Sequence, residues 1–205
     1  QLVVANLVMT ATGSIGTSLD PFETDTNSVA ATSITSVVNL AEANTTNIAA
    51  DGINAGNNSV ILSSGTFKAT DGSSFPLSTD LTLGPSSAAT FDMGGFAPAI
   101  DSLNSGGSDD RITTTGGFHI TLVVGFNNGS GVYGGVIDNG SASVVHFQKN
   151  GTGVQTLTGA NTYLGQTNVN DGELRINGST STDSAVTAQV TGTVAGTGTI
   201  QNILS

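Results

Sequence analysis

Asn-Gly pairs recur at a fixed interval in the middle of this chain. Asn128-Gly129, Asn139-Gly140 and Asn150-Gly151 stand 11 residues apart, and Asn161 falls at the next step. Gly and Asn supply the positive-φ corners at which an extended chain changes direction. Between these corners lie strand-like clusters, Val132 to Ile137, Val144 to Phe147 and Val154 to Leu157. Two architectures take short strands at such spacing, a hairpin-built sandwich and a solenoid of stacked coils. A lone Asn-Gly turn favours a hairpin. Regular recurrence of the same turn chemistry favours the solenoid, because stacked coils set like residues above like. One coil then takes about 22 residues, which makes roughly nine coils of the whole chain. At an interstrand spacing of about 4.8 Å, the body is a rod on the order of 45 Å long.

Turn signals are as dense toward the N-terminus, at Asp51-Gly52, Gly56-Asn57-Asn58, Asp71-Gly72, Gly94-Gly95, Gly106-Gly107 and Gly116-Gly117. The apolar residues are mostly Val, Ile, Leu and Phe in short clusters, a strand-forming composition. Ser28 to Ala50 is the one stretch with a helical face, through Ala30, Ile34, Val37, Val38 and Ala41. Its Thr and Ser content and the β-branched Ile34, Val37 and Val38 argue for strands and loop instead. The fold class expected is all-β, a parallel β-helix. It forms a single domain of N-terminal coils with a loop (1–60), middle coils (61–150) and closing coils (151–205).

Charge is scarce, at 9% of residues, and its balance is acidic, with a formal net charge of −11. In a stacked coil, small neutral side chains form ladders against their own kind, whereas like charges directly above one another repel. The acidic balance excludes a nucleic-acid partner, which would need a basic stripe to neutralise phosphates. It also disfavours docking on an anionic membrane. No apolar run is long enough to span a bilayer, and with no cysteine there is neither disulfide nor thiolate chemistry.

Residues 151 to 176 read GTGVQTLTGANTYLGQTNVNDGELRI. This segment resembles the autotransporter-associated β-strand repeat, G-x-x-x-L-x-x-x-x-N-T-Y-x-G-x-T-x-V-x-x-G-x-L. The positions that carry the resemblance are Gly153, Leu157, Asn161, Thr162, Tyr163, Gly165, Thr167, Val169, Gly172 and Leu174. Ala89 to Leu103 is similar to the strand pair that precedes the repeat, Val136 to Asn139 to the segment just upstream of it, and Gly192 to Ile200 to its closing coil. Gly13 to Thr24 resembles an element of very long filamentous-haemagglutinin-like surface proteins. The resemblance implies a right-handed parallel β-helix, secreted by a bacterium and displayed at or beyond the cell surface. It implies no activity, since these repeats serve as stalk and scaffold. The membrane β-barrel that ends a complete autotransporter has no counterpart here. The sequence therefore reads as part of a longer protein, a processed piece, or a short relative that works without the barrel.

Catalysis would have to come from carboxylates, as in the lyases and glycosidases built on parallel β-helices. Asp109-Asp110-Arg111 is the best candidate, in a Gly-rich loop, but consecutive residues of an extended strand face opposite sides. Hydrolysis needs two carboxyls facing one substrate, so a solvated loop is the expectation and the chain is not read as an enzyme. Calcium needs only carboxylates and carbonyls, which makes Asp109 and Asp110 the candidate metal ligands and calcium the one candidate cofactor. His119 and His146 are expected to face outward, beside inward Phe118, Ile120 and Leu122 in one case and Val145 and Phe147 in the other. With no further ligand at suitable spacing, a transition-metal site is not expected. Glu173 and Arg175, two apart on one strand face, read as a surface ion pair.

A solenoid exposes a sheet edge at each end, and soluble ones usually carry a cap there. Gln1 to Ala11 and Thr199 to Ser205 are apolar, strand-like and uncharged. Neither resembles a cap. Leu2, Val3, Val4, Leu7, Val8, Ile200, Ile203 and Leu204 are therefore the candidate assembly residues, through which subunits would add end to end as β-strands. The function expected is a structural module of an extracellular filament or surface stalk. The alternative is an adhesin passenger whose loops bind surface glycans or host ligands, with Phe96, Phe126 and Tyr133 as the available aromatics. A polysaccharide lyase or glycosidase is the least supported.

Overall fold

A computed structural model describes residues 2–17, 20–33, 36–56, 58–85, 87–117, 119–140 and 144–204, with the side chains of 2–6, 50 and 51 left aside. Ile34 and Phe118 lie outside the described residues. Clusters of Val, Ile, Leu and Phe become strands wherever Gly, Asn or Asp bounds them. Three long strands open the chain, β1 (Leu2–Ala11), β2 (Phe22–Ser33) and β3 (Val38–Asn54). Next come β4 (Ser59–Ala69), β5 (Asp80–Leu83), β6 (Ala89–Asp92), β7 (Ala99–Ile100), β8 (Ser102–Ser105) and β9 (Arg111–Thr113). Shorter turns separate β10 (His119–Val124), β11 (Gly131–Tyr133), β12 (Val136–Ile137), β13 (Val144–Lys149) and β14 (Val154–Leu157). The last are β15 (Thr167–Ile176), β16 (Ala185–Ala195) and β17 (Asn202–Ile203). No helix occurs among the described residues, and Ser28 to Ser33 and Val38 to Ala50 are strand.

Every pairing between these strands is parallel, and together they wind into a β-solenoid of about nine coils. Long strands turn corners and serve two faces. The first half of β4 pairs with β5 and its second half with β6, and the bend falls at Gly65, whose φ is 83°. In the same way β15 pairs with β13 before Gly172 and with β14 after it. A residue with a Cβ is strained at such a corner, because the left-handed region is open mainly to Gly.

Stacking sets like on like in the core, as the ladder argument expects. Val38 lies against Val60, Leu40 against Leu62, Phe67 against Phe91 and Leu81 against Leu103, all fully buried. Outside the core, Thr10 pairs with Thr32 and Thr66 with Thr90. The coil length is not constant, however. Leu81 finds its partner 22 residues on, His119 finds Val144, 25 residues on, and Val154 finds Glu173, only 19 on. The even 11-residue step therefore does not place Asn150-Gly151 over Asn128-Gly129. Gly151 abuts the carbonyl of Gly125, and Gly153 that of Gly129. The extra residues are taken up by the turn at Asn128, the one described non-Gly residue with positive φ.

Corners are held by side-chain acceptors that reach along the rod. Asp101 Oδ1 accepts the N–H groups of Asn127 and Gly129, each at 2.7 Å. Asp92 accepts from Gly94, Thr115 N–H and the Thr115 hydroxyl. Asn104 takes Val132 N–H, Asn128 takes Thr152 N–H, and Asn139 takes Leu164 N–H. Gln155 both accepts from and donates to the backbone of Leu103. Most of these bonds relieve a backbone donor that the ladder leaves unpaired, and the Gln155 amide also satisfies the Leu103 carbonyl. The charges of Asp92 and Asp101 are thereby structural rather than presented to solvent.

One corner uses a lysine. Lys149 occupies an inward position at the end of β13 and is fully buried. Its ammonium donates to the carbonyls of Asn150 at 2.6 Å and Gly151 at 2.7 Å, with Asp171 O at 3.4 Å.

Candidate functional site

Nine of the ten positions of the repeat have a structural task. Leu157, Tyr163, Thr167, Val169 and Leu174 point into the core and are fully buried. Tyr163 shares its hydroxyl with Thr167 Oγ1 at 2.6 Å, and Thr167 in turn meets Ser184 at 3.1 Å. Burial pushes the Tyr163 phenol up to about 12. Asn161 accepts the Ile137 N–H on the coil below. Gly153 and Gly172 sit where a Cβ would strike backbone of the neighbouring coil, and Gly165 lies under the His146 ring. Thr162 is exposed. None of the ten is arranged to act on a substrate.

The two histidines, 27 residues apart, meet on adjacent strands, which their spacing did not reveal. The rings stack with centroids 5.4 Å apart, and His119 Nδ1 lies 3.1 Å from His146 Nε2. His146 Nδ1 accepts the Gln166 backbone N–H at 2.9 Å. Its proton therefore sits on Nε2, donated to His119, which is the neutral tautomer. Burial, reinforced by His119, holds the His146 pKa below the ordinary histidine range. With one nitrogen of His146 accepting and the other donating, the pair is engaged in holding coils together. Among the described residues no group of three or more His, Asp or Glu could hold a metal ion.

The Asp109-Asp110-Arg111 step is solvated at Asp109 and Arg111, as the sequence suggests, but not at Asp110. Asp110 is buried, and its carboxylate accepts from Ala89 N–H at 2.9 Å and Gly107 N–H at 3.3 Å. Asp109 is exposed, with only Ser108 Oγ within reach at 3.4 Å. Arg111 makes a two-pronged pair with Asp138, at 2.5 and 3.0 Å, and Thr113 and Gly140 also donate to that carboxylate. Burial alone would raise Asp138, but the hydrogen bonds from Arg111, Thr113 and Gly140 hold it below the ordinary aspartate value. Beside this pair runs a cleft of about 320 Å³ lined by Asn139, Thr162 and Leu164. Glu173 and Arg175 pair on the surface.

Of the aromatics considered for ligand contact, Tyr133 is fully buried, Phe96 packs against the core and Phe126 is exposed. At the ends, Val8 is 68% exposed, while Leu7 is partly covered. Ile203 and Leu204 are 65% and 50% exposed, and Ile200 packs partly on the core. The side chains of Leu2, Val3 and Val4 lie outside those described.

The passenger-associated-transport-repeat family matches residues 147–176, the window that holds Tyr163 and its hydroxyl partner Thr167. Among curated proteins, the adhesin BmaC autotransporter of Brucella suis biovar 1 (strain 1330) is 35% identical over 95 residues. That alignment covers 46% of this chain and 3% of the relative, so the chain spans a small part of that protein's length. No solved structure matches. The chain is thus an extracellular, cell-surface β-solenoid that carries an autotransporter passenger repeat at residues 147–176.

Proposed function

We propose that the chain is a structural length of passenger stalk whose ends add to a second copy, coil upon coil. The observation that carries this is an open apolar trough of about 490 Å³ at the C-terminal coil. Ile176, Val186, Val194, Ile200, Ile203 and Leu204 line it. Elsewhere the same columns of residues are closed over by the next coil. At the opposite end β1 is an edge strand with uncharged side chains, paired among the described residues only to β2. A parallel strand laid on the trough satisfies both its backbone donors and its apolar surface. Electron microscopy in physiological salt tests this, with long uniform fibres expected from the wild type. The paired change Ile203→Asp and Leu204→Asp should leave single rods with the same strand signal in circular dichroism. Single rods from the wild type would refute assembly.

A second reading is an adhesive passenger. It is favoured by the likeness to the Brucella adhesin and by the cleft beside Arg111 and Asp138, where a guanidinium, the Asn139 amide and Leu164 could meet a sugar. Binding to a glycan array that is lost in Asn139→Ala would support it. We read the chain as non-enzymatic, because Asp110 spends its carboxylate on backbone donors. Polysaccharide turnover abolished by Asp110→Asn in a folded protein would overturn that.

A further inference from the structure

Near the N-terminal end, between neighbouring coils, lies a cavity of about 230 Å³ lined by Glu23, Thr24, Ala41, Glu42, Ala43 and Ser64. Glu42 belongs to β3 and is only 4% exposed, yet neither of its carboxylate oxygens has a hydrogen-bond partner. Thr24, on β2 directly across the ladder, is 1% exposed and its hydroxyl is equally unpartnered. These are three of the four such orphaned atoms among the described residues, and all three belong to residues lining this cavity. A buried carboxylate without donors is costly, and natural proteins rarely leave one. Elsewhere in this fold the buried acids Asp92, Asp101 and Asp110 all accept backbone N–H groups. Glu42 is the exception.

We propose that this cavity binds a hard divalent cation, calcium, on Glu42, Thr24 and Glu23. The donor set is oxygen alone, two carboxylates and hydroxyls, which suits calcium and offers nothing to a thiophilic or imidazole-seeking metal. The space left in the cavity accommodates the waters that would complete a shell of six to eight oxygens. Glu23, on the exposed side of β2, supplies the second carboxylate at the mouth. Asp25, engaged by Asn44 at 2.9 Å, adds a further negative charge nearby. The electrostatics of the site agree. Burial first, and the Asp25 charge as well, push Glu42 up to about 7. A cation would supply the missing partner and keep the carboxyl ionised. With so few protein ligands, the affinity falls in the range of about 10⁻⁴–10⁻³ M typical of extracellular modules.

The test is calcium titration of the whole chain by calorimetry, with thermal unfolding in parallel at pH 8 and constant ionic strength. At ten times Kd, calcium should raise the wild-type Tm by about 3–6 °C. Glu42→Gln should abolish that response and should melt higher than the wild type in chelator, because the unpaired charge is gone. Lowering the pH from 8 to 6 should weaken binding several-fold, as protons compete for Glu42. Should Glu42→Gln fail to fold, Glu23→Gln at the exposed mouth serves instead and should weaken binding several-fold with the fold intact. A wild type indifferent to calcium would overturn the proposal. So would an unchanged calcium response in either variant, which would put the ion elsewhere.

Discussion

Replacing Lys149 by Met tests whether a buried ammonium holds a corner of the rod. Met keeps the length of the stem and removes the donors. The carbonyls of Asn150 and Gly151 then lose bonds of 2.6 and 2.7 Å in a place the solvent does not reach. A hydrogen bond to a charged group is worth about 1.5–3 kcal/mol, and an orphaned acceptor costs about 1–3 kcal/mol. Against this, burial lowers the Lys149 pKa despite the pull of Asp171 and Asp101. The charged form therefore carries a desolvation penalty that the substitution removes. The balance is a loss of about 2–4 kcal/mol, or about 5–15 °C in Tm for a chain of this size. Urea and thermal unfolding followed by circular dichroism measure it. The unfolded lysine holds its proton more tightly than the folded one. Wild-type stability should therefore rise with pH as the ordinary lysine value of 10.5 is approached, and Lys149→Met should lack that slope. A variant within about 0.5 kcal/mol of the wild type, with the same pH slope, would refute the reasoning.

Tyr163→Phe removes only the hydroxyl that meets Thr167 and should cost about 1–1.5 kcal/mol, read as a shift of the urea midpoint. Calcium-free protein should lose about 3 kcal/mol of stability as pH rises from 4.5 to about 7, because the folded-state pKa of Glu42 lies above the unfolded one. Denaturation across that window should show the loss in the wild type and not in Glu42→Gln. Gly172→Ala forces a Cβ into a corner with φ of 64°, 2.5 Å from the Gly153 carbonyl, and should cost more than about 2 kcal/mol by thermal melting.

The strands were legible because apolar clusters between Gly and Asn turns have few other ways to be buried. Val144 to Phe147 and Val154 to Leu157 fall within β13 and β14, and Tyr163, Thr167 and Leu174 stand where the repeat sets them. The stacking register was not legible. A coil of 25 residues beside one of 19 displaces every column, so the even Asn-Gly step gave the number of coils without saying which residues touch. That is why strand alternation places His119 and His146 on the outer face yet leaves their contact hidden, and why Asp110 reads from sequence as a solvated acid.

Sequence by itself determined that this chain is a stack of parallel coils, because local turn chemistry and strand propensity act over a few residues and repeat along the chain; the autotransporter repeat was legible only through the resemblance of Gly153 to Leu174 to a family pattern. Tertiary structure alone decided the fate of the scarce charges. Whether Lys149, Asp110 or Glu42 meets water, a carbonyl or nothing depends on the residue one coil away, some 17 to 25 positions distant, and desolvation follows that neighbour rather than the local sequence.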